Sequence, residues 1–164
     1  MSSPISVESL NRVVGDVGRL LVKVGGILIL VLSLVDVLKY LGYLLIMHLA
    51  GGFLSSLFTL NPALAWISSL IGIAAVVGSV VFAVMIVLSI IFAYFGYRLY
   101  KISDETFTQA TRDRWILIVA IMLAIAWLSG SIILVVFSVI AIIGLLLLPL
   151  QLATPPPTSA SSKE

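Results

Sequence analysis

The sequence predicts an all-α protein, an integral membrane helical bundle of four transmembrane helices with an amphipathic N-terminal helix. Three observations predict it. Of the 164 residues, 62% are hydrophobic and only 10% charged, against about 45–50% and about 25% in ordinary soluble domains. A mean hydropathy of +1.28 says the same: a chain this short cannot hide so much apolar surface in its own core. The runs from Tyr40 to Tyr97 and from Trp115 to Leu148 contain no Asp, Glu, Lys or Arg, and the charges gather outside them.

Residues 1–23 carry Glu8, Arg12, Asp16, Arg19 and Lys23 at spacings of four and three, one charged stripe on a helix. Leu10, Val13, Val14, Val17, Leu20, Leu21 and Val24 lie largely on the remaining surface, which predicts an amphipathic helix that either lies on the inner membrane face or extends the first transmembrane helix into the cytoplasm and packs on the middle loop. Glu8 and Asp16 are foreign to the basic start of a secretory signal. The small residues Ala50-Gly51-Gly52 also lie well past the ~15–30 residues of such a signal, so the segment reads as uncleaved.

The charge-free run from Tyr40 to Tyr97 would extend ~87 Å as one helix, against a hydrocarbon core of ~30 Å. It must turn back. Gly51-Gly52 and Ser55-Ser56 loosen the chain, and Asn61-Pro62 offers an N-cap followed by proline at the first helical position. The first two helices are therefore expected near 20–48 and 63–97. The second charge-free run is divided by Ser129-Gly130-Ser131, and Thr106 with Gln109 forms a T-x-x-Q capping box ahead of it. The third and fourth helices are expected near 112–129 and 132–150. These four complete a transmembrane bundle over 20–150. Residues 151–164, rich in Pro, Ser and Thr, have nothing to pack and are expected as a flexible tail. A six-helix alternative turns at Asp36 and Lys39 and again at Gly78-Ser79, where no strong turn signal stands.

Arg12, Arg19 and Lys23 precede the first helix, and Arg98, Lys101, Arg112 and Arg114 flank the 98–114 loop. The 49–62 and 129–131 turns carry no charge. By the positive-inside rule this predicts a multi-pass protein of the cell membrane with both termini cytoplasmic. Tyr94, Tyr97, Tyr100 and Trp115 fit an inner aromatic belt and Trp66 an outer one, ~42 Å away along a helix.

Few residues here can carry chemistry. Asp36 and Lys39 are the charges well inside an expected crossing, where each costs ~2.5–3.5 kcal/mol. Three residues apart, they share a helix face and can neutralise each other. They form a self-paired packing element, one end of a tilted helix in contact with water, or the polar element of an ion or proton path with Tyr40, Tyr43 and His48. His48 lies about two and a half turns beyond Lys39, off that face. Ser68, Gly72, Ala75, Ser79 and Ala83 make a small-residue stripe, and Ala120 with Ala124 and Ala126 with Gly130 repeat its spacing. Such stripes let helices approach closely in lipid, within one chain or between copies.

No catalytic constellation emerges, so no enzyme activity is expected. The chain has no cysteine and one histidine, which excludes thiolate chemistry and leaves no metal site. Gly25-Gly26 and Gly51-Gly52 lack the context of a phosphate loop, so no cofactor is expected. Nine basic against seven acidic residues leave a net charge of +2, too small for a nucleic-acid partner. The expected partners are the lipid bilayer and a further copy or another membrane protein.

The stretch 92–106, FAYFGYRLYKISDET, is followed by Phe107 and an apolar helix from Trp115. Over residues 85–130 this resembles the helix-loop-helix of small archaeal multi-pass membrane proteins of unknown function. The resemblance implies a membrane location and brings no functional residues with it. The first expectation is thus a non-enzymatic structural or accessory membrane subunit, open to self-association. The alternatives are a small channel or transporter using Asp36 and Lys39, and a membrane-embedded viral coat protein.

The absence of native cysteine makes the topology directly testable. Single cysteines at Ser55, Thr108 and Ser159 should react with an impermeant maleimide from outside, inside and inside respectively. Reaction of the Thr108 variant from outside would reverse the orientation.

Overall fold

The computed structural model describes residues 7–60, 64–104 and 108–148. Among them the protein is all-helical, with four helices: α1 Val7–Thr59, α2 Ala65–Ile102, α3 Gln109–Leu128 and α4 Ile132–Leu147. They form two compact units. One comprises the described parts of 1–27 and 98–164, the other Leu28–Tyr97.

The N-terminal amphipathic segment is not a separate helix, because α1 continues without a break from Val7 to Thr59. The stretch around Lys23 holds glycine but no proline. Glycine in a helix interior costs only ~1 kcal/mol relative to alanine, too little to stop a helix with strong flanks. For the same reason Gly51-Gly52 does not end the helix near 48. The hydroxyls of Ser56 and Thr59 donate to the carbonyls of Phe53 (2.7 Å) and Ser56 (2.8 Å), taking up carbonyls of the last turn. Asn61 and Pro62, the expected start of the next helix, lie outside the described residues.

α2 is likewise unbroken, through Gly78-Ser79, so neither turn of the six-helix alternative forms. The Ser79 hydroxyl donates to the Ala75 carbonyl at 2.7 Å and is satisfied within its own helix. α2 also runs past 97 to Ile102, carrying Arg98 and Lys101 in its last turns, where cations meet the negative end of the helix dipole.

α3 is capped by Thr108 rather than by the expected box. The Thr108 hydroxyl accepts from the Thr111 amide at 3.3 Å and lies 2.8 Å from the Thr111 hydroxyl. Thr106 itself is outside the described residues. The turn at 129–131 is where the sequence places it. The Ser131 amide donates to the Ala126 carbonyl (3.0 Å) and the Gly130 amide to that of Trp127 (3.1 Å). Gly130 sits at φ +72°, which glycine alone adopts at little cost. This Schellman closure folds α4 back on α3. Leu148 is extended, as the residue before Pro149 must be.

In the first unit, α3 and α4 form a hairpin. Trp115, Val119, Met122 and Ala126 recur at helical spacing on its buried face, opposite Leu134, Ser138, Ala141 and Leu145. The start of α1 packs on α4 through glycine rather than through its valines and leucines. A Cβ on Gly25 would lie 3.1 Å from that of Ala141, and one on Gly18 would lie 3.0 Å from the Gly144 carbonyl oxygen. Leu10, Val13, Val14, Val17, Leu20 and Val24 remain exposed. The buried stripe of this segment is therefore Gly15, Gly18, Val22 and Gly25.

Gly144 is the tightest point of that contact. A Cβ there would come within 2.7 Å of the Val22 backbone nitrogen. Gly144→Val should cost about 1–3 kcal/mol, read as a lower Tm in detergent micelles. Gly42→Ala, where a Cβ would meet nothing within 4 Å, should leave Tm unchanged or raise it.

Candidate functional site

Both groups of residues singled out by the sequence fall in the second unit, on the antiparallel pair made by α1 and α2. The register of this pair is set by three contacts. The Ser55 and Ser68 hydroxyls bond at 2.8 Å, Gly51 faces Ala75 with 3.4 Å left for a Cβ, and Met47 lies against Gly78, filling the place a Cβ would take.

The five-residue stripe is divided by this register. Ser68 and Ala75 face α1. Gly72, Ala75 and Ser79 line an open groove of about 440 Å³ together with Gly51, Gly52 and Ser55, and Ala83 is exposed. Gly78 and Gly51, not singled out from the sequence, do more of the close packing. Their signal was present as glycine within two apolar runs, but only the register shows which glycines meet a partner. In the first unit, Ala120 and Ala124 line an open apolar groove with Trp127, Val135 and Val139.

Asp36 and Lys39 are brought together on one face of α1. Lys39 Nζ lies 3.9 Å from Asp36 Oδ1, with the lysine side chain 48% exposed and the aspartate 21%. The ammonium also lies over the rings of Tyr40 and Tyr43, 5.3 and 5.9 Å from their centroids. This is the range in which ring quadrupoles attract a cation. The two tyrosines meet edge to face at 6.4 Å. Phe82 of α2 packs against both, at 6.3 and 5.7 Å. A carboxylate on one side and a two-ring floor on the other thus hold the ammonium. Phe82 was missed from the sequence because only pairing with α2 places it there.

His48 does not join this cluster. It is exposed and lines the groove beside Met47 and Gly52. One turn before Asp36, Ser33 is fully buried, and its hydroxyl has no hydrogen-bond partner. Ser89 is also buried and donates to the Met85 carbonyl at 2.9 Å. Elsewhere, in the first unit, Lys23 Nζ reaches Asp104 Oδ2 at 3.0 Å and lies over the Tyr100 ring at 5.3 Å. Both side chains of that bridge are well exposed, so it contributes little to stability. Among the described residues no three His, Asp or Glu side chains gather as a metal site requires.

The arrangement offers close helix contact and one compensated ion pair. No protein-family model, curated protein or solved structure matches this chain.

The Ser55–Ser68 bond crosses the pair directly, so its contribution can be isolated. A double-mutant cycle with Ser55→Ala and Ser68→Ala should return a coupling of about 0.6 kcal/mol, as for other hydrogen bonds between membrane helices. Unfolding in mixed micelles measures it, and a coupling of zero would remove the bond from the forces that fix the register.

Proposed function

We propose that this chain is a multi-pass integral membrane protein, with both ends on the cytoplasmic side, that serves as a non-enzymatic structural or accessory subunit. The observation carrying the proposal is the exposure of α2. It is long and apolar enough to cross a bilayer, yet only 11% of its most apolar window is buried. The core helix of a soluble protein would be mostly buried, and a signal sequence would lie at the N-terminus. α2 is neither.

Magnitudes support the same reading. Leu70, Ile73, Val76, Val77, Val80, Val81 and Val84 are each roughly half exposed. At about 1.5–3 kcal/mol per fully buried side chain, leaving them in water costs roughly 10 kcal/mol. That equals the whole net stability of a typical domain, ~5–15 kcal/mol. Lipid removes the cost. α1 adds a second exposed apolar surface, including Leu38, Leu45, Ile46, Leu49 and Phe53.

A subunit role is supported by what the polar residues do. The Ser55–Ser68 bond and the glycine contacts hold helices together, and Asp36 and Lys39 compensate each other. A channel or transporter built on Asp36 and Lys39 draws less support. The lysine is half exposed, its charge is already met by aspartate and two rings, and His48 lies apart from the pair.

The two readings separate on one variant. Asp36→Leu with Lys39→Leu should leave the protein in the membrane fraction after alkaline carbonate extraction, with its assembly unchanged on native gels. Release of the unaltered chain by carbonate would sink the membrane reading. Loss of an ion flux from vesicles carrying the double variant, with insertion intact, would favour transport.

A further inference from the structure

The cluster of Asp36, Lys39, Tyr40, Tyr43 and Phe82 sits where the surroundings of the α1–α2 pair change. Within this unit the buried residues are Ile29, Ser33, Ser89, Phe92, Ala93 and Gly96, all to one side of the cluster. On the other side, among the described residues from 37 to 88, none is buried.

Length gives an independent argument. Each helix contributes about 30 residues to this unit, or ~45–50 Å, well beyond a hydrocarbon core of ~30 Å. A tilt large enough to fit that length would exceed the usual range of ~0–40°. Part of the pair therefore stands outside the hydrocarbon. From the cluster to the closed end of the pair, residues 41–60 of α1 span ~30 Å, one hydrocarbon thickness. Trp66 lies near that closed end, exposed, as an interfacial tryptophan would be.

Resting on the membrane reading above, we propose that the cluster lies at a membrane–water interface and meets phospholipid headgroups, with the hydrocarbon core on the side of residues 41–60. The chemistry fits. Tyrosine favours the headgroup level, where its ring and hydroxyl meet apolar and wet surroundings at once. Lys39, half exposed beside these rings, directs its ammonium toward headgroup phosphate while its methylene stem covers apolar surface. Asp36 at 3.9 Å keeps the site close to neutral, so the contact does not depend on anionic lipid. This reassigns the charged pair from the interior of a crossing to its edge, which removes most of the cost of burying it.

The test uses the full chain in vesicles of phosphatidylcholine and phosphatidylglycerol, with single cysteines at Leu38, Leu45 or Leu49. These side chains are 70%, 59% and 67% exposed on the protein, so their reactivity reads lipid cover rather than protein cover. A membrane-impermeant maleimide is supplied to both faces. Leu38→Cys should react at least about tenfold faster than Leu45→Cys and Leu49→Cys, because hydrocarbon excludes the water-borne reagent. Protection of Leu38→Cys equal to that of the other two would overturn the interfacial assignment while leaving the membrane reading intact. Fast reaction at all three positions, matching that in detergent, would overturn both.

Discussion

Between Trp66 and Ile102 the chain leaves a long apolar stretch almost wholly unburied, and on the membrane reading proposed above lipid takes up the surface that folding usually hides. That constraint governs the other features. On that reading a helix must satisfy its backbone internally, which agrees with α1 and α2 running on through Gly51-Gly52 and Gly78-Ser79. Four hydroxyls along them obey the same rule, while Ser33 is buried without a partner. Ser79 and Ser89 donate one turn back to the carbonyls of Ala75 and Met85, and Ser56 and Thr59 do so within the last turn of α1.

On the membrane reading water does not drive the helices together, and association depends on close approach. The first unit achieves it with glycine. Gly18 and Gly25 of α1 meet Gly144 and Ala141 of α4 so tightly that a further methyl group at Gly144 would collide with the Val22 backbone. The second unit uses Gly51 against Ala75, Gly78 against Met47, and the Ser55–Ser68 bond. In both, small residues set the distance and larger ones face outward. The pattern inverts the soluble one: Leu10, Val13, Val14 and Leu20 are left exposed while Gly15, Gly18 and Gly25 are covered.

Much of the fold was legible where the sequence speaks through backbone chemistry. The turn at Ser129-Gly130-Ser131 follows from a glycine that can take positive φ between two apolar runs. The Asp36–Lys39 pair follows from a spacing of three on a helix. Helix lengths were less legible, because breakers are weighed against flanks. Gly51-Gly52 lost that contest and α1 reached Thr59. The cap of α3 was misplaced by two residues because Thr106 and Thr108 both precede the apolar run, and only geometry shows which hydroxyl meets an amide. Phe82 and Gly78 were illegible for a different reason. Their roles depend on the register between helices far apart in sequence, which no local pattern contains.

The charged pair shows how such a register alters meaning. Along the sequence, Asp36 and Lys39 lie deep within an apolar run, and depth is what makes a charge costly and suggestive of transport. In the folded chain depth is no longer given by sequence position, because the α1–α2 pair is longer than one hydrocarbon core. The relevant coordinate becomes distance from the nearest polar surroundings. The change from buried to bare helix near residue 36 supplies a natural boundary there. Two tyrosines beside the lysine have the mixed character that such a boundary favours. On the proposed interfacial reading, a carboxylate, an ammonium and two phenol rings within two turns serve as an anchor, which needs exposure, rather than a conduction path, which needs enclosure. Lys39, with nearly half its side chain exposed, meets the first requirement and not the second.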